Sequence, residues 1–238
     1  MLLQKADMHD EYSSHFIFLL DSAQRKWKTK MPLRDEKKKQ THQSFIDAAF
    51  ALSYEKGCLS NVSLRELTQK VDVVPATFYR HFDDMQQLGL ELVDRSSNHV
   101  RNIFYQFAKM AIHSPSIRRE QRMQYFFQSI ETSAALWHFF INERMSGQMK
   151  IRQAIYRERD FLLQDIVHRM SCMSIFEHLD ATKMQYFAEL IMQYLLDYAT
   201  DWLETQWIDD PDLQLQKRYL LLESSIHKIQ FLYEGLHP

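Results

Sequence analysis

Glycine and proline are scarce in this chain, which contains only 4 Gly and 5 Pro among 238 residues. Hairpins and the corners of β-sheets depend on these two residue types, so their scarcity favours helices. Apolar residues also recur at helical spacing along most of the sequence after residue 33. We therefore predict an all-α protein, whose 45% hydrophobic and 25% charged residues are typical of a globular domain.

Two short helices separated by a tight turn are predicted between residues 63 and 82. Ser63, followed three residues later by Glu66, forms a capping-box pattern that starts the first helix. Asp72 lies where the chain must reverse, and Asp is one of the few residues that tolerate a left-handed conformation. Pro75 suits the first turn of the second helix, where the amides have no helical partner. This arrangement is typical of a DNA-binding helix-turn-helix.

An amphipathic helix is predicted upstream, from Arg34 to Lys56, and Gly57 ends it. Three consecutive lysines, residues 37–39, and Thr41 lie near its start. Positive charges at the N-terminal end of a helix interact unfavourably with its dipole. A nearby anion such as a DNA phosphate would offset this cost. A solvated charged turn accounts equally well for the same residues.

A long helix is predicted after Phe82, with Asp83-Asp84 as its N-cap signal. Its apolar spacing continues to His113, which gives about 28 residues and a length of about 42 Å. Ser114-Pro115-Ser116 ends it. Further helices are predicted over residues 117–130, 133–144, 148–170, 182–205 and 213–236, with a break at Ser146-Gly147. Residues 1–33 show no sustained helical period and are predicted to form a flexible extension. A basic arm that contacts DNA, with Lys26, Lys28 and Lys30, is the alternative.

Charge is distributed unevenly, although the formal net charge is only −2. Residues 34–82 contain eight Lys or Arg against six Asp or Glu, whereas residues 83–238 contain 16 against 21. A mildly basic segment joined to an acidic one fits a small DNA-contacting domain on a larger body, and chance asymmetry fits equally well. The two cysteines, Cys58 and Cys172, suit a reducing cytoplasm rather than a disulfide framework.

Features that would indicate an enzyme or a metal site are absent from the sequence. It contains no Gly-rich phosphate loop and no His-Glu-x-x-His motif. His168 and Cys172, four residues apart, supply only two of the four ligands that a structural zinc site needs. We therefore predict a non-enzymatic protein with no catalytic residues, no metal and no cofactor.

Residues 34–88 resemble the tetracycline-repressor (TetR) family of bacterial transcription regulators. The resemblance rests on Ser-Leu-Arg-Glu-Leu from Ser63 and Pro-Ala-Thr-Phe-Tyr-Arg-His-Phe from Pro75. Two positions depart from the family pattern. Asp72 replaces the common glycine of the turn, and residues 84–87 lack a lysine that often contacts phosphate.

The remainder of the chain is similar to the TetR branch that represses unsaturated fatty-acid synthesis and senses acyl-coenzyme A. The residues that carry this similarity are Leu88-Gly89-Leu90, Asn142-Glu143-Arg144 and Ser146-Gly147. The resemblance implies a nine-helix homodimer whose last two helices pack against their symmetry mates. It also implies a helix-turn-helix domain over residues 34–83 and a helical ligand-binding and dimerisation domain over residues 84–238.

The resemblance further implies that the helix from Pro75 enters the major groove of an operator. Phosphate contacts are expected from Lys39, Thr41, Ser63, Arg65, Tyr79 and His81. Base-edge contacts are expected from Pro75, Ala76, Thr77 and Arg80, with Arg80 able to bond guanine through two hydrogen bonds. Tyr79 as a core aromatic and Arg80 as an ordinary surface residue are the alternatives. A two-fold dimer would bind a pseudo-palindromic DNA site.

For the body, the resemblance implies a pocket for long-chain acyl-coenzyme A. Candidate pocket residues are Phe126, Phe127, Trp137, Phe139, Phe140, Arg144 and Tyr156. An aromatic stripe at helical spacing also fits an ordinary core, and Arg144 could pair with a local carboxylate instead of a coenzyme A phosphate. An alternative effector is a small aromatic or drug-like inducer that controls efflux genes, for which Met145, Met149 and Met170 would form an adaptable pocket.

Overall fold

The computed structural model describes residues 33–113, 118–145 and 148–235. Nine α-helices occupy these residues, and no strand occurs among them, so the predicted all-α class and nine-helix arrangement are confirmed. The helices are α1 (Leu33–Lys56), α2 (Leu64–Lys70), α3 (Pro75–Phe78), α4 (Met85–His113), α5 (Arg119–Thr132), α6 (Ala134–Asn142), α7 (Met149–Ser171), α8 (Ala181–Glu204) and α9 (Pro211–Glu234). Short 3₁₀ helices occur at Leu59–Asn61, Ser174–Phe176 and Thr205–Trp207.

Some sequence predictions concern residues outside the described ranges. These are the flexible extension at residues 1–32 and the helix breaks at Ser114-Pro115-Ser116 and Ser146-Gly147. Leu33, which was assigned to the extension, is the first residue of α1. The chain divides into two compact units, of which the first ends at Phe45 and the second begins at Ile46.

Within the second unit, α4 packs against α5, α6 and α7, and α8 packs against α5, α6, α7 and α9. Burial follows the helical spacing of the sequence, because each helix turns its apolar stripe towards its neighbours. On α4 the side chains of Leu88, Leu92, Val93 and Val100 are completely buried. Their burial along one face anchors the 29-residue helix to the body.

The start of α2 is fixed by the predicted capping box, which the structure confirms. The Glu66 backbone amide donates to Ser63 Oγ at 3.3 Å, and the Ser63 amide donates to Glu66 Oε2 at 3.0 Å. Both bonds satisfy amides that the helix itself leaves without acceptors. The capping box therefore sets where the helix-turn-helix begins.

The turn between α2 and α3 has the predicted left-handed residue. Asp72 has a φ of 58°, and Gly57, which follows α1, has a φ of 85°. Pro75 occupies the first turn of α3, as its fixed φ favours. Regular α-helix ends at Phe78, earlier than predicted, because the next turn tightens: Arg80 donates to Thr77 O at 3.2 Å and His81 donates to Phe78 O at 2.8 Å.

Replacing Ser63 with Ala removes one hydrogen bond of the capping box. We expect the free energy of unfolding to fall by about 1 kcal/mol, the usual cost of losing a helix N-cap. Chemical denaturation monitored by circular dichroism measures this change. Ser44→Ala, at an exposed position within α1, should alter stability by less than about 0.5 kcal/mol. Equal effects of the two substitutions would contradict the assigned role of the cap.

Candidate nucleic-acid interface and effector cavity

The predicted recognition segment presents an exposed polar face above two buried aromatic rings. Phe78 and Phe82 are 0% and 3% exposed, with their ring centroids 5.4 Å apart. Tyr79 is 61% exposed, and its ring meets Phe78 edge-on at 5.6 Å. The structure therefore places Tyr79 at the surface and not in the core. Arg80 is also exposed.

The other predicted DNA contacts in and next to α2 and α3 differ in their exposure. Ser63, Arg65, Pro75 and Ala76 are exposed, whereas Thr77 and His81 are half-buried. Ser63 also serves as the N-cap of α2. The role of each residue in binding DNA stays a prediction.

Lys39 and Thr41 belong to the first compact unit, on the N-terminal half of α1. Lys39 is exposed, and Thr41 Oγ1 donates to the Lys37 carbonyl at 3.0 Å. The Thr41 hydroxyl keeps lone pairs through which it can accept a hydrogen bond.

The basic side chains in and next to the helix-turn-helix differ in whether they form ion pairs. Lys56 pairs with Glu66, and Lys70 pairs with Glu55 at 2.7 Å. Hydrogen bonds from the Lys56 side chain and the Ser63 backbone lower the pKa of Glu66 to about 2. Within the described part of the chain, by contrast, the side chains of Arg65 and Arg80 make no ion pair or hydrogen bond. These two guanidinium groups are therefore available for an anionic partner.

Val74 is a candidate contact that the sequence reasoning missed. It is 66% exposed and is the N-cap residue of α3, directly before Pro75. Proline forces the residue before it into an extended conformation, and Val74 has a φ of −74° and a ψ of 149°. An exposed apolar side chain beside a recognition helix suits the methyl group of thymine. The signal available in the sequence was the Val-Pro pair.

The body contains an apolar cavity of about 80 Å³. It lies among α4, α7, α8 and α9 and the 3₁₀ helix at Ser174–Phe176. Its lining residues are Phe104, Tyr105, Phe107, Ala108, Leu162, Asp165, Ile166, Arg169, Met170, Met173, Phe176, Phe187, Ile191, Leu195 and Tyr233. This composition suits a ligand that is mainly hydrocarbon.

Charged side chains of the cavity lining come from α7. Arg169 donates to both oxygens of Asp165, at 3.0 and 3.2 Å. Its guanidinium carbon lies 4.5 Å from the centroid of the Tyr105 ring on α4, which is cation–π geometry. Burial raises the pKa of Tyr233, another lining residue, so its phenol stays protonated at neutral pH. The cavity thus combines an apolar interior with a few polar groups.

The aromatic residues predicted to bind the effector do not line this cavity. Phe126, Phe127, Trp137, Phe139 and Phe140 are at most 2% exposed and form an aromatic cluster. Trp137 and Phe126 lie 6.5 and 6.4 Å from Phe104, which does line the cavity. The cluster therefore lies directly behind the cavity wall.

Among the arginine, tyrosine and methionine candidates for effector binding, only Met170 lines the cavity. Arg144 is half-buried after α6, and Tyr156 is 42% exposed on α7. Met145 and Met149 are 80% and 61% exposed, whereas Met170 lines the cavity. The assignment of these residues to effector binding stays a prediction.

The described residues contain no group of three or more His, Cys, Asp or Glu residues placed to hold a metal ion. Among their helices, none is both long and apolar enough to cross a membrane.

The fold and the exposed recognition segment define the class of protein: a helical DNA-binding regulator. The family model for tetR-family bacterial regulatory proteins matches residues 45–92. An uncharacterized helix-turn-helix-type transcriptional regulator from Haemophilus influenzae is 32% identical over 140 residues, which cover 58% of this chain and 67% of that protein. The chain belongs to the TetR family, and it is a ligand-responsive transcriptional regulator.

Solved structures show the same fold at low sequence identity. A transcriptional regulator from Aquifex aeolicus matches with a TM-score of 0.53 and 17% identity, over 82% of this chain and 97% of that one. FadR from Bacillus subtilis, solved in complex with stearoyl-CoA, matches with a TM-score of 0.52 and 14% identity, over 76% of this chain and 97% of that one. At these identities the likeness concerns the fold alone.

Arg80→Ala removes the exposed guanidinium group of the recognition segment. We expect specific DNA binding to weaken by about 5- to 150-fold, since one bidentate base contact contributes about 1–3 kcal/mol. Fluorescence anisotropy on specific and scrambled duplexes at fixed salt separates this loss from non-specific attraction. Arg157→Ala, which removes an equally exposed arginine from α7, is the matched control. Equal losses for both variants, or none for Arg80→Ala, would refute the assigned contact.

Proposed function

We propose that this protein is a homodimeric repressor of fatty-acid and lipid-metabolism genes, released or retained at its operator by long-chain acyl-coenzyme A. The observation that carries the proposal is the apolar cavity between α4 and the later helices, with the Asp165–Arg169 pair in its lining. A hydrocarbon tail suits the interior, and a polar thioester end suits the charged pair. FadR from Bacillus subtilis, which shares the fold, was solved with stearoyl-CoA and supports the same class of ligand.

Operator binding is assigned to the segment from Val74 to His81. Arg80 and the first residues of α3 face the bases, while Tyr79, His81 and the start of α2 bond the phosphates. Lys39 and Thr41 add phosphate contacts from α1. This division follows from chemistry, because a guanidinium group can read a guanine edge whereas a hydroxyl at the groove margin reaches a phosphate. Acting on bacterial DNA, the protein would be cytoplasmic.

The size of the cavity implies that effector binding changes the structure. Ligand pockets usually enclose about 300–1,000 Å³, whereas this cavity measures about 80 Å³. A long acyl chain therefore fits only if the surrounding helices or side chains separate. Phe104, Phe107 and Ala108 form one wall and belong to α4, whose first residue is Met85. Opening the cavity would shift α4. The helix-turn-helix domain (residues 34–83) ends two residues before Met85, so it would shift with α4.

Control by a ligand requires that effector binding and DNA binding depend on the same change in helix arrangement. An effector alters DNA affinity only if it binds one arrangement of the helices better than another. A straight saturated chain and a kinked unsaturated chain would open the cavity differently, so operator affinity would depend on acyl unsaturation. A small aromatic inducer is the alternative, favoured by Met170 and Met173 in the lining, since thioether side chains adapt to varied shapes. Native mass spectrometry that detects a copurified acyl thioester would favour the first effector.

Dimerisation is assigned to α8 and α9, which expose large apolar side chains. Exposed residues on these helices are Tyr186, Leu190, Leu213, Leu215, Tyr219, Leu220 and Phe231. An apolar surface of this extent usually marks an interface. Two-fold pairing through α8 and α9 would present two recognition segments to operator half-sites about 34–36 Å apart.

Ala108→Phe tests the effector site by filling the cavity from α4. We expect oleoyl-coenzyme A binding, measured by isothermal titration, to weaken at least about 10-fold because the tail loses its space. Operator binding without effector should persist. Ala108→Ser, which changes the same side chain without filling the cavity, should bind oleoyl-coenzyme A nearly as the wild type does. Wild-type affinity in Ala108→Phe, or no binding by the wild type itself, would exclude this site.

Leu190→Arg combined with Phe231→Arg places two charges on the proposed dimer surface. We expect a monomer in sedimentation velocity at micromolar concentration, because burying unpaired charges opposes association. Operator affinity should fall at least about 100-fold, since one half-site contributes far less than two linked ones. Phe161→Arg, at a 56% exposed aromatic on α7, should remain dimeric. A dimeric double variant would refute the assigned interface.

A further inference from the structure

A buried carboxylate links the end of α6 to the segment that precedes the helix-turn-helix. Glu143 is 1% exposed, and its Oε1 accepts a hydrogen bond of 2.5 Å from the backbone amide of Leu59. The two residues are 84 positions apart in sequence. Carboxylates are seldom buried so completely unless a specific partner holds them.

Leu59 occupies the first position of the 3₁₀ helix Leu59–Asn61. Asn61 is tied back to α1, because its side-chain amide donates to the Lys56 carbonyl at 2.9 Å. Val62 is buried, and Ser63 then caps α2. Only three residues separate Leu59 from that cap, so displacement of Leu59 displaces the start of the helix-turn-helix.

The side chain of Leu59 is also closely packed, beside α4 and α7. A Cβ atom placed on Gly89 of α4 would lie 2.9 Å from Leu59 Cδ2 and 2.3 Å from Ile151 Cδ1 of α7. Real Cβ atoms do not approach carbon this closely, so glycine allows α4, α7 and Leu59 to come together at this point. Leu59 is therefore fixed by α6 through its amide and by α4 and α7 through its side chain.

Packed side chains also connect α6 with the proposed effector cavity. Phe104 lines the cavity, and its ring lies 6.5 Å from that of Trp137 on α6. Helix α6 ends at Asn142, directly before Glu143. A shift of α4 or α6 caused by a ligand would thus reach Leu59 through packed side chains and one hydrogen bond, without crossing a solvent gap.

We propose that Glu143 is a positioning residue for operator binding: it fixes Leu59, and thereby the helix-turn-helix, relative to the effector-binding helices. The inference rests on the proposed operator binding and explains how that binding senses the state of the body. Glu143 touches neither DNA nor effector in this role. Its removal therefore weakens specific DNA binding and uncouples it from the effector, while the cavity itself is left intact.

Three substitutions at Glu143 test the proposal. Glu143→Ala leaves the Leu59 amide without its acceptor, so we expect the amide to exchange with deuterium about 10-fold faster and operator affinity to fall about 10-fold. Glu143→Asp, shorter by one methylene, should behave similarly because it cannot reach the amide. Glu143→Gln keeps an acceptor oxygen at the same distance and should recover most of the operator affinity. Hydrogen exchange and fluorescence anisotropy measure the two effects in the full-length protein.

A matched core truncation separates positioning from general loss of stability. Ile130, on α5, is completely buried and does not line the cavity. Ile130→Ala should lower the melting temperature as Glu143→Ala does, yet leave Leu59 exchange and operator affinity near their wild-type values. Equal loss of operator affinity in both variants would overturn the proposal. So would wild-type Leu59 exchange and operator affinity in Glu143→Ala.

Oleoyl-coenzyme A serves as the probe of coupling. The factor by which it changes operator affinity should fall towards one in Glu143→Ala, while its own binding to the protein stays unchanged. An unaltered factor would overturn the coupling role. If the wild type does not respond to oleoyl-coenzyme A at all, the acyl-coenzyme A proposal fails, and the exchange and operator measurements still decide the role of Glu143.

Discussion

The packing of α4 against α5, α6 and α7 is the interaction on which the rest of the structure depends. This one helix begins just after the recognition segment and reaches the effector cavity with Phe104, Phe107 and Ala108. Its buried face keeps it attached to the body, because a helix gains most of its stability from tertiary packing. The proposed DNA-binding segment and the proposed effector cavity, at opposite ends of α4, would thereby be mechanically connected.

Helix positions and local caps could be predicted from the sequence because they depend on residues close together in the chain. Ser63 and Glu66 specify a capping box, Asp72 a left-handed turn and Pro75 a helix start, and the structure contains all three. The length of α3 was predicted less well. Its last turn tightens after Phe78, a detail that no residue in its local sequence indicates.

The effector cavity could not be predicted, because it depends on contacts between distant segments. Both Phe126 and Phe187 are aromatic residues at helical spacing, yet only Phe187 borders the cavity. The lining also includes Tyr233 and Arg169, which nothing in their local sequence distinguishes from other residues. The hydrogen bond between Glu143 and Leu59 also joins segments that are distant in the sequence. Its sequence signal was a single acidic residue after an apolar helix, and only the folded chain identifies its partner.

If the cavity is the effector site, as proposed, its small volume would also limit the rate of effector binding. A preformed pocket admits its ligand at a rate set by diffusion and orientation, whereas one that must first open admits it more slowly. With about 80 Å³ available at rest, effector association would be limited by the rate at which α4, α7 and α8 separate. The effector would then bind more slowly than its rate of encounter with the protein allows.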